Sequence, residues 1–373
     1  MGLPVYQNSP FYDNIRIMKR IETDTHNLKL LGRALPVDSG ILLSLSGSGI
    51  EFDYTGRGLN ITLSAGSASQ IPDNEQNYAR IAVYTDDVRE VDMQLKSPMA
   101  TLRIAVSDTI RTTRIRLIKL SEVAMSLVRI DSIEIADDDT VTPAPSLSRR
   151  IEFIGDSITC GYGVDDEDPM HPFMTATEDV TKAYAYKTAM KLNADYSMFS
   201  ASGYGIISGY TDDPDKRNEP ELIPLYYESL GLSYDRIPGL PDTRDISWDY
   251  DRFRPDVVVI NLGTNDDSFC QEDKTKQSEF TDRYAEFLKV VRSHNADAYI
   301  FCILGLMGDR LYPSVCDAVA KYSAETGDKR ITTVHLTEQD GEVGYVSDYH
   351  PLESAHDIAV TELTESIRTT MGW

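Results

Sequence analysis

The chain has 373 residues, long for one domain and comfortable for two, and 41% of them are hydrophobic, enough for a sizeable core. With 60 acidic residues against 36 basic ones, its formal net charge is −24. Such a surface repels phosphate backbones and anionic lipid, which excludes nucleic acid and membrane as partners and leaves neutral molecules such as sugars open.

The first twenty residues, MGLPVYQNSPFYDNIRIMKR, carry no basic stretch followed by an apolar one. No apolar run approaches the roughly 18 residues of a membrane span. The expected location is the cytoplasm, or outside the cell if a signal has been removed. Residues 1–137 read as strands. GILLSLSGSGIEFDYTGRGLNITLSAGS, ARIAVYTDD, TLRIAVSDT and RTTRIRLIKLSE are short alternating runs broken by Gly, Asp and Ser. In RIRLIKL, Ile115, Leu117 and Lys119 mark one face, and Arg116 and Ile118 the other. Short strands at this spacing predict an antiparallel β-sandwich. ADDDTVTPAPSLSRR, residues 136–150, is polar with two prolines, and residues 138–150 are expected to be a linker.

From residue 151 the rhythm changes. RIEFIG predicts a strand and TKAYAYKTAMKL a helix with Ala183, Tyr186 and Met190 on one stripe. ADYSMFSASG and RPDVVVINLGTND predict two more strands. The unbroken Val257–Ile260 run fits a strand buried on both faces. SEFTDRYAEFLKVVRSH predicts a helix with Tyr284, Phe287, Leu288 and Val291 inward. The strand DAYIFCILGL, a helix opened by Pro313, the strand RITTVHLTE and a closing helix after Pro351 complete the pattern. Alternating strand and helix over 151–373 implies a parallel sheet covered on both faces, with its site beyond the carboxyl ends of the strands. The four cysteines, Cys160, Cys270, Cys302 and Cys316, form no C-x-x-C pair and are expected to be reduced.

Four polar signatures each follow a strand of this second half and are expected to converge on one sheet edge. They are GDS at 155–157, SGYG at 202–205, GTND at 263–266 and SDYHP at 347–351. Ser157 is either a cap of the next helix or a nucleophile, and a nucleophile needs a neighbouring base. His350, between the last strand and the last helix, can take and return a proton; His356, inside the helix, is the competitor. Asp348 can orient the imidazole if the backbone is extended there; otherwise a backbone carbonyl does so, and the unit is a Ser–His dyad. The backbone N–H groups of Ser157 and Gly203 and the amide of Asn265 can receive an oxyanion. Asp156, Asp266 and His350 can be gathered as metal ligands, but no H-x-x-x-H or C-x-x-C spacing supports a metal site, and GSGIEFDYTGRG lacks the GK[ST] of a phosphate loop. No cofactor is expected.

Ser157, Gly203, Asn265 and His350, in that order, resemble the defining set of the SGNH (GDSL-type) hydrolases over about residues 150–373. FIGDSIT, NLGTND and DYHP carry the likeness. The short Asp-x-His-Pro form and the sandwich ahead of it are similar to the family 2 carbohydrate esterases. That resemblance implies a flavodoxin-like three-layer α/β domain behind a jelly roll. It also implies a serine esterase that removes O-acetyl groups from xylan-derived or other acetylated oligosaccharides through an acetyl-serine. Ser157 would be the nucleophile and His350 the base, with Asp348 as the third member. Ser157, Gly203 and Asn265 would form the oxyanion hole. Sugar contacts are expected from Tyr349, from Tyr204 and Trp248 of the aromatic-rich insertion 204–255, and from Asp156. A lipase or thioesterase use of the same site and a glycan-binding sandwich are the alternatives. The sandwich is expected to support homo-oligomers.

Overall fold

Alternation drives the first half. In the computed structural model of the protein, which describes residues 18–38 and 40–373, apolar side chains at every second position turn inward from two antiparallel sheets. Residues 1–17 of the expected first domain lie outside the described residues. The strands are β1 Met18–Ile21, β2 Lys29–Leu31, β3 Leu35–Val37, β4 Gly40–Leu43, β5 Gly49–Gly56, β6 Gly58–Ala65, β7 Arg80–Thr85, β8 Val88–Gln94, β9 Met99–Ala105, β10 Arg111–Lys119, β11 Val128–Ala136 and β12 Thr140–Pro143. One sheet has the order β3-β4-β11-β6-β9, with β1 also on β11; the other runs β12-β5-β10-β7-β8, with β2 on β5. Ile50, Phe52 and Tyr54 of β5 and Ile115 and Leu117 of β10 meet Ile61, Leu63, Ile130 and Ile133 in the core. Lys119 is buried in line with them because its Nζ donates to the carbonyls of Ser121 and Glu122 at 2.6 and 2.7 Å.

The stretch expected as a linker is partly sheet. Thr140–Pro143 pairs with Thr55–Phe52 at the sheet's edge, where proline's missing N–H is harmless. The chain divides between Ser146 and Leu147, and Ser233–Thr243, expected with the second half, belongs to the first unit.

The second unit is an all-parallel sheet of β13 Arg149–Gly155, β14 Ala194–Ser200, β15 Val257–Asn261, β16 Tyr299–Leu306 and β17 Ile331–Glu338, in the order β14-β13-β15-β16-β17. Numbered within this unit the order is 2-1-3-4-5, the flavodoxin-like arrangement. Its helices are α1 Ser157–Cys160, α2 Tyr184–Lys191, α3 Ile223–Tyr226, α4 Thr264–Cys270, α5 Lys274–His294, α6 Tyr312–Thr326 and α7 Glu353–Met371. Helix α2 pairs with α7, and α5 with α6. Adjacent residues of β13 reach the two layers: Phe153 meets Tyr184 of α2 edge-on, while Glu152 accepts from Tyr227, whose ring meets Phe287 of α5. All of β15 is buried, as expected for a strand covered twice. In α2 the expected stripe is shifted. Ala183, just ahead of the helix, and Tyr186 are buried as expected, but so are Tyr184, Ala185, Thr188 and Ala189, and Met190 is 39% exposed, so the buried face is turned toward Tyr184–Ala189 and leaves Met190 at its edge.

Candidate active site

Each of the four polar signatures leaves the carboxyl end of a parallel strand. Gly155 ends β13. A Cβ there would lie 2.0 Å from Thr159 Oγ1, so only glycine lets the chain turn at once into α1. Thr159 and Tyr184 share a 2.9 Å hydrogen bond that ties α1 to α2. The helix cap is Asp156, not Ser157: its Oδ1 accepts from Ile158 N–H. Ser157 is thereby released from capping, and its Oγ lies 2.8 Å from His350 Nε2.

His350 is buried, and burial pulls its pKa down to about 4, against the carbonyls of Ser347 and Asp348, which pull it up. Those carbonyls each lie 3.2 Å from Nδ1, so Nδ1 carries the hydrogen and Nε2 accepts from Ser157. The neutral imidazole is therefore a ready base at pH 7.

The expected Ser–His–Asp side-chain triad does not assemble. Asp348 is left-handed, at φ 48° and ψ 38°, not extended. That conformation turns its carbonyl to the imidazole and its carboxylate to the hydroxyl of Tyr162, 2.5 Å away. The geometry is the dyad with backbone carbonyls. His356 is buried in α7, where its Nδ1 accepts from the Tyr184 N–H at 3.2 Å, so that ring nitrogen is spent on the backbone of α2.

Gly203 follows β14 with φ +83°, a conformation glycine enters without cost. Asn265, at the start of α4, donates from Nδ2 to the Tyr204 carbonyl at 3.0 Å and, weakly, to Asp156 Oδ2 at 3.4 Å. It thus touches the sequence neighbours of both Ser157 and Gly203, and one of its two amide hydrogens is only loosely engaged. Asp266 accepts from three successive N–H groups, Ile206, Ile207 and Ser208, at 2.7 to 3.1 Å. Burial pushes Asp266 up to about 6 and Asp156 up to about 7, against the N–H bonds that pull both down.

The expected sugar contacts separate. Tyr349 is 54% exposed beside the pair, with its hydroxyl donating to Met170 Sδ at 3.2 Å. Tyr204 is only 3% exposed and meets Tyr226 edge-on, and Trp248 is 7% exposed, so neither offers a ring face to a sugar. Asp156 is wholly buried, with one carboxylate oxygen on Ile158 N–H and the other toward Asn265. Asp156, Asp266 and His350 thus all spend their ligand atoms inside the protein. The four cysteines are free. Two contributors went unread in the sequence, Tyr162 and the anchoring role of Asp266. Asp266 closes the GTND signature and Tyr162 follows Ser157 by five residues, but nothing in their spacing gives their partners.

Residues 153–358, more than half of the chain, match the model of the GDSL-like lipase/acylhydrolase family. The chain belongs to that family. Residues 30–145 match the carbohydrate esterase 2 N-terminal model, so this family member carries the sandwich of the family 2 carbohydrate esterases. It is 30% identical over 332 residues to the cellulase/esterase CelE of Acetivibrio thermocellus, an alignment covering 88% of this chain and 37% of that protein. The chain thus spans little more than a third of that relative's length. It is 25% identical over 332 residues to an acetylxylan esterase/glucomannan deacetylase of Cellvibrio japonicus, covering 87% of this chain and 86% of that one. A solved acetyl xylan esterase from the rumen bacterium Butyrivibrio proteoclasticus shares the fold, with a TM-score of 0.86 at 23% identity over 96% of this chain and 100% of the other.

Proposed function

We propose that the protein is a serine esterase that removes O-acetyl groups from xylan-derived or other acetylated oligosaccharides. The single observation that carries this reading is the 2.8 Å contact between Ser157 Oγ and the neutral, buried His350. The matched families and the names of the relatives supply the substrate class.

In this reading Ser157 Oγ attacks the acetyl carbonyl as its proton passes to His350 Nε2. The imidazolium keeps its Nδ1–H on the Ser347 and Asp348 carbonyls. The oxyanion accepts from the N–H groups of Ser157 and Gly203 and from the loosely held hydrogen of Asn265 Nδ2. Collapse breaks the bond to the sugar oxygen, which takes the proton from Nε2 and leaves as the free hydroxyl. Water, deprotonated by the same Nε2, attacks the acetyl-serine, and acetate departs as Ser157 regains its proton. The ring of Tyr349 flanks the pair as a platform for a neutral sugar.

Hydrolysis of p-nitrophenyl acetate and acetate release from acetylated xylo-oligosaccharides by wild type and Ser157→Ala test this. The substitution is expected to lower kcat by at least about 1,000-fold on both. Retained activity would remove Ser157 from the reaction, and p-nitrophenyl octanoate turned over faster than acetate would move the enzyme to long acyl esters.

A further inference from the structure

The imidazole of His350 has no carboxylate on Nδ1, yet its plane is fixed. The ring of Tyr162 lies nearly parallel to it, 17° between planes and 3.8 Å between centroids. Phe173 leans on Tyr162 in turn, at 4.6 Å and 36°. The Tyr162 hydroxyl donates to Asp348 Oδ2 at 2.5 Å. Asp348 and Tyr349 are both left-handed, at φ 48° and 60°. Two such residues in a row cost energy and persist only where the surroundings hold them. The Tyr162–Asp348 bond is one hold. A second is the carbonyl of His171, which accepts from Asp348 N–H at 3.2 Å and from Ser347 Oγ at 2.8 Å.

We propose that Tyr162 is the positioning residue of His350: its ring clamps the imidazole, and its hydroxyl, through the Asp348 carboxylate, holds the turn whose two carbonyls stand where a triad carboxylate would. The proposal rests on the esterase reading of Ser157 and His350. It gives the ring a second role. When Nε2 takes the Ser157 proton, the resulting imidazolium lies face-on to an electron-rich ring, a cation–π arrangement that exists only while the proton is on the base. Interactions gained at that stage raise kcat and leave KM alone.

The test compares wild type, Ser157→Ala, Tyr162→Phe, Tyr162→Leu, Asp348→Ala and the Tyr162→Phe/Asp348→Ala double variant on p-nitrophenyl acetate. Loss of activity in Ser157→Ala checks the underlying reading by itself. Tyr162→Leu is expected to lower kcat at least about 100-fold with KM changed less than about threefold, while Tyr162→Phe, which keeps the ring, recovers at least about tenfold of that loss. Tyr162→Phe and Asp348→Ala should each cost about tenfold, and the double variant no more than the worse single, because hydroxyl and carboxylate act through one bond. Multiplying losses, or a Tyr162→Leu enzyme within about threefold of wild type in kcat, would overturn the proposal. If Tyr162→Leu does not fold, the cycle on the milder variants decides. The His350 ring-proton resonances give a readout free of activity. Tyr162 should shift them upfield in wild type and Tyr162→Phe alike, and unshifted ring protons in wild type would remove the clamp whatever the reaction proves to be.

Discussion

At the scale of single residues the site is a neutral histidine that burial keeps from charging. An ordinary histidine titrates near 6.5, whereas His350 sits at about 4. The sign follows directly. The base is competent when deprotonated, so kcat/KM for p-nitrophenyl acetate should rise with pH through about 4 and be level by pH 6. A profile still rising from 6 to 7.5 on a histidine limb would mean that the imidazole is solvated. The same depression links to stability: the contribution of His350 is full above 6.5 and is lost as pH falls through about 4. Asp156, raised to about 7, works in the opposite sense, with its contribution full below 3.8 and lost as pH rises through 7. Activity is therefore the cleaner measurement. At this scale the sequence was half legible. Ser157 and His350 are read from order and spacing because each closes a strand–loop signature. The direction of the Asp348 carboxylate is not, because it depends on a left-handed φ that a non-glycine residue does not advertise.

At the scale of elements, strand and helix periodicity carried most of the fold. The inward faces of β10 and α5 are those the sequence marks, with Tyr284, Phe287, Leu288 and Val291 buried. Periodicity fails where two loops fold onto each other. The loop after β14 has no pattern of its own, and its shape is imposed by the first turn of α4, where Asp266 gathers the N–H groups of residues 206–208. A Cβ at Gly205 would lie 2.7 Å from Asp266 Oδ2, so the loop fits closely around that carboxylate. Asn in its place keeps one acceptor but sets an amide N–H against the Ile206 N–H. Because Oδ1 alone accepts from all three loop N–H groups, Asp266→Asn is expected to lose about 2 kcal/mol of stability through its own buried amide N–H, which faces a donor in place of an acceptor. Because Gly203 begins the same loop, kcat should fall at least about tenfold with KM nearly unchanged, the signature of a misplaced oxyanion donor. Urea melts and steady-state kinetics on one preparation check both, and wild-type kcat in that variant would show that the loop needs no pin.

For the whole molecule, the change of rhythm near residue 150 falls close to the division between Ser146 and Leu147, yet it hides a crossing of the chain. Ser233–Thr243 lies deep in the second half of the sequence and belongs to the sandwich unit. Its signal is a single carboxylate, invisible without partners. Asp235 is buried, and it accepts from Ser67 Oγ at 2.6 Å, Ala68 N–H at 3.0 Å and Leu127 N–H at 2.8 Å. The close fit leaves no room for a side chain at residue 66, where a Cβ would lie 1.8 Å from Asp235 Oδ2. The sandwich unit thus includes residues 233–243, although its last strand ends at residue 143. Asp235→Ala leaves two buried N–H groups and a hydroxyl without acceptors, and should cost about 3 kcal/mol. Asp235→Asn, which keeps one acceptor oxygen, should cost less. The loss is expected in the urea transition of the sandwich, while Ser157-dependent hydrolysis per folded molecule stays at the wild-type level, since Asp235 takes no part in the site. A fragment that stops at residue 146 lacks this segment and should melt below the sandwich of the full chain. If it melts at the same urea concentration, the segment merely rests on a finished fold.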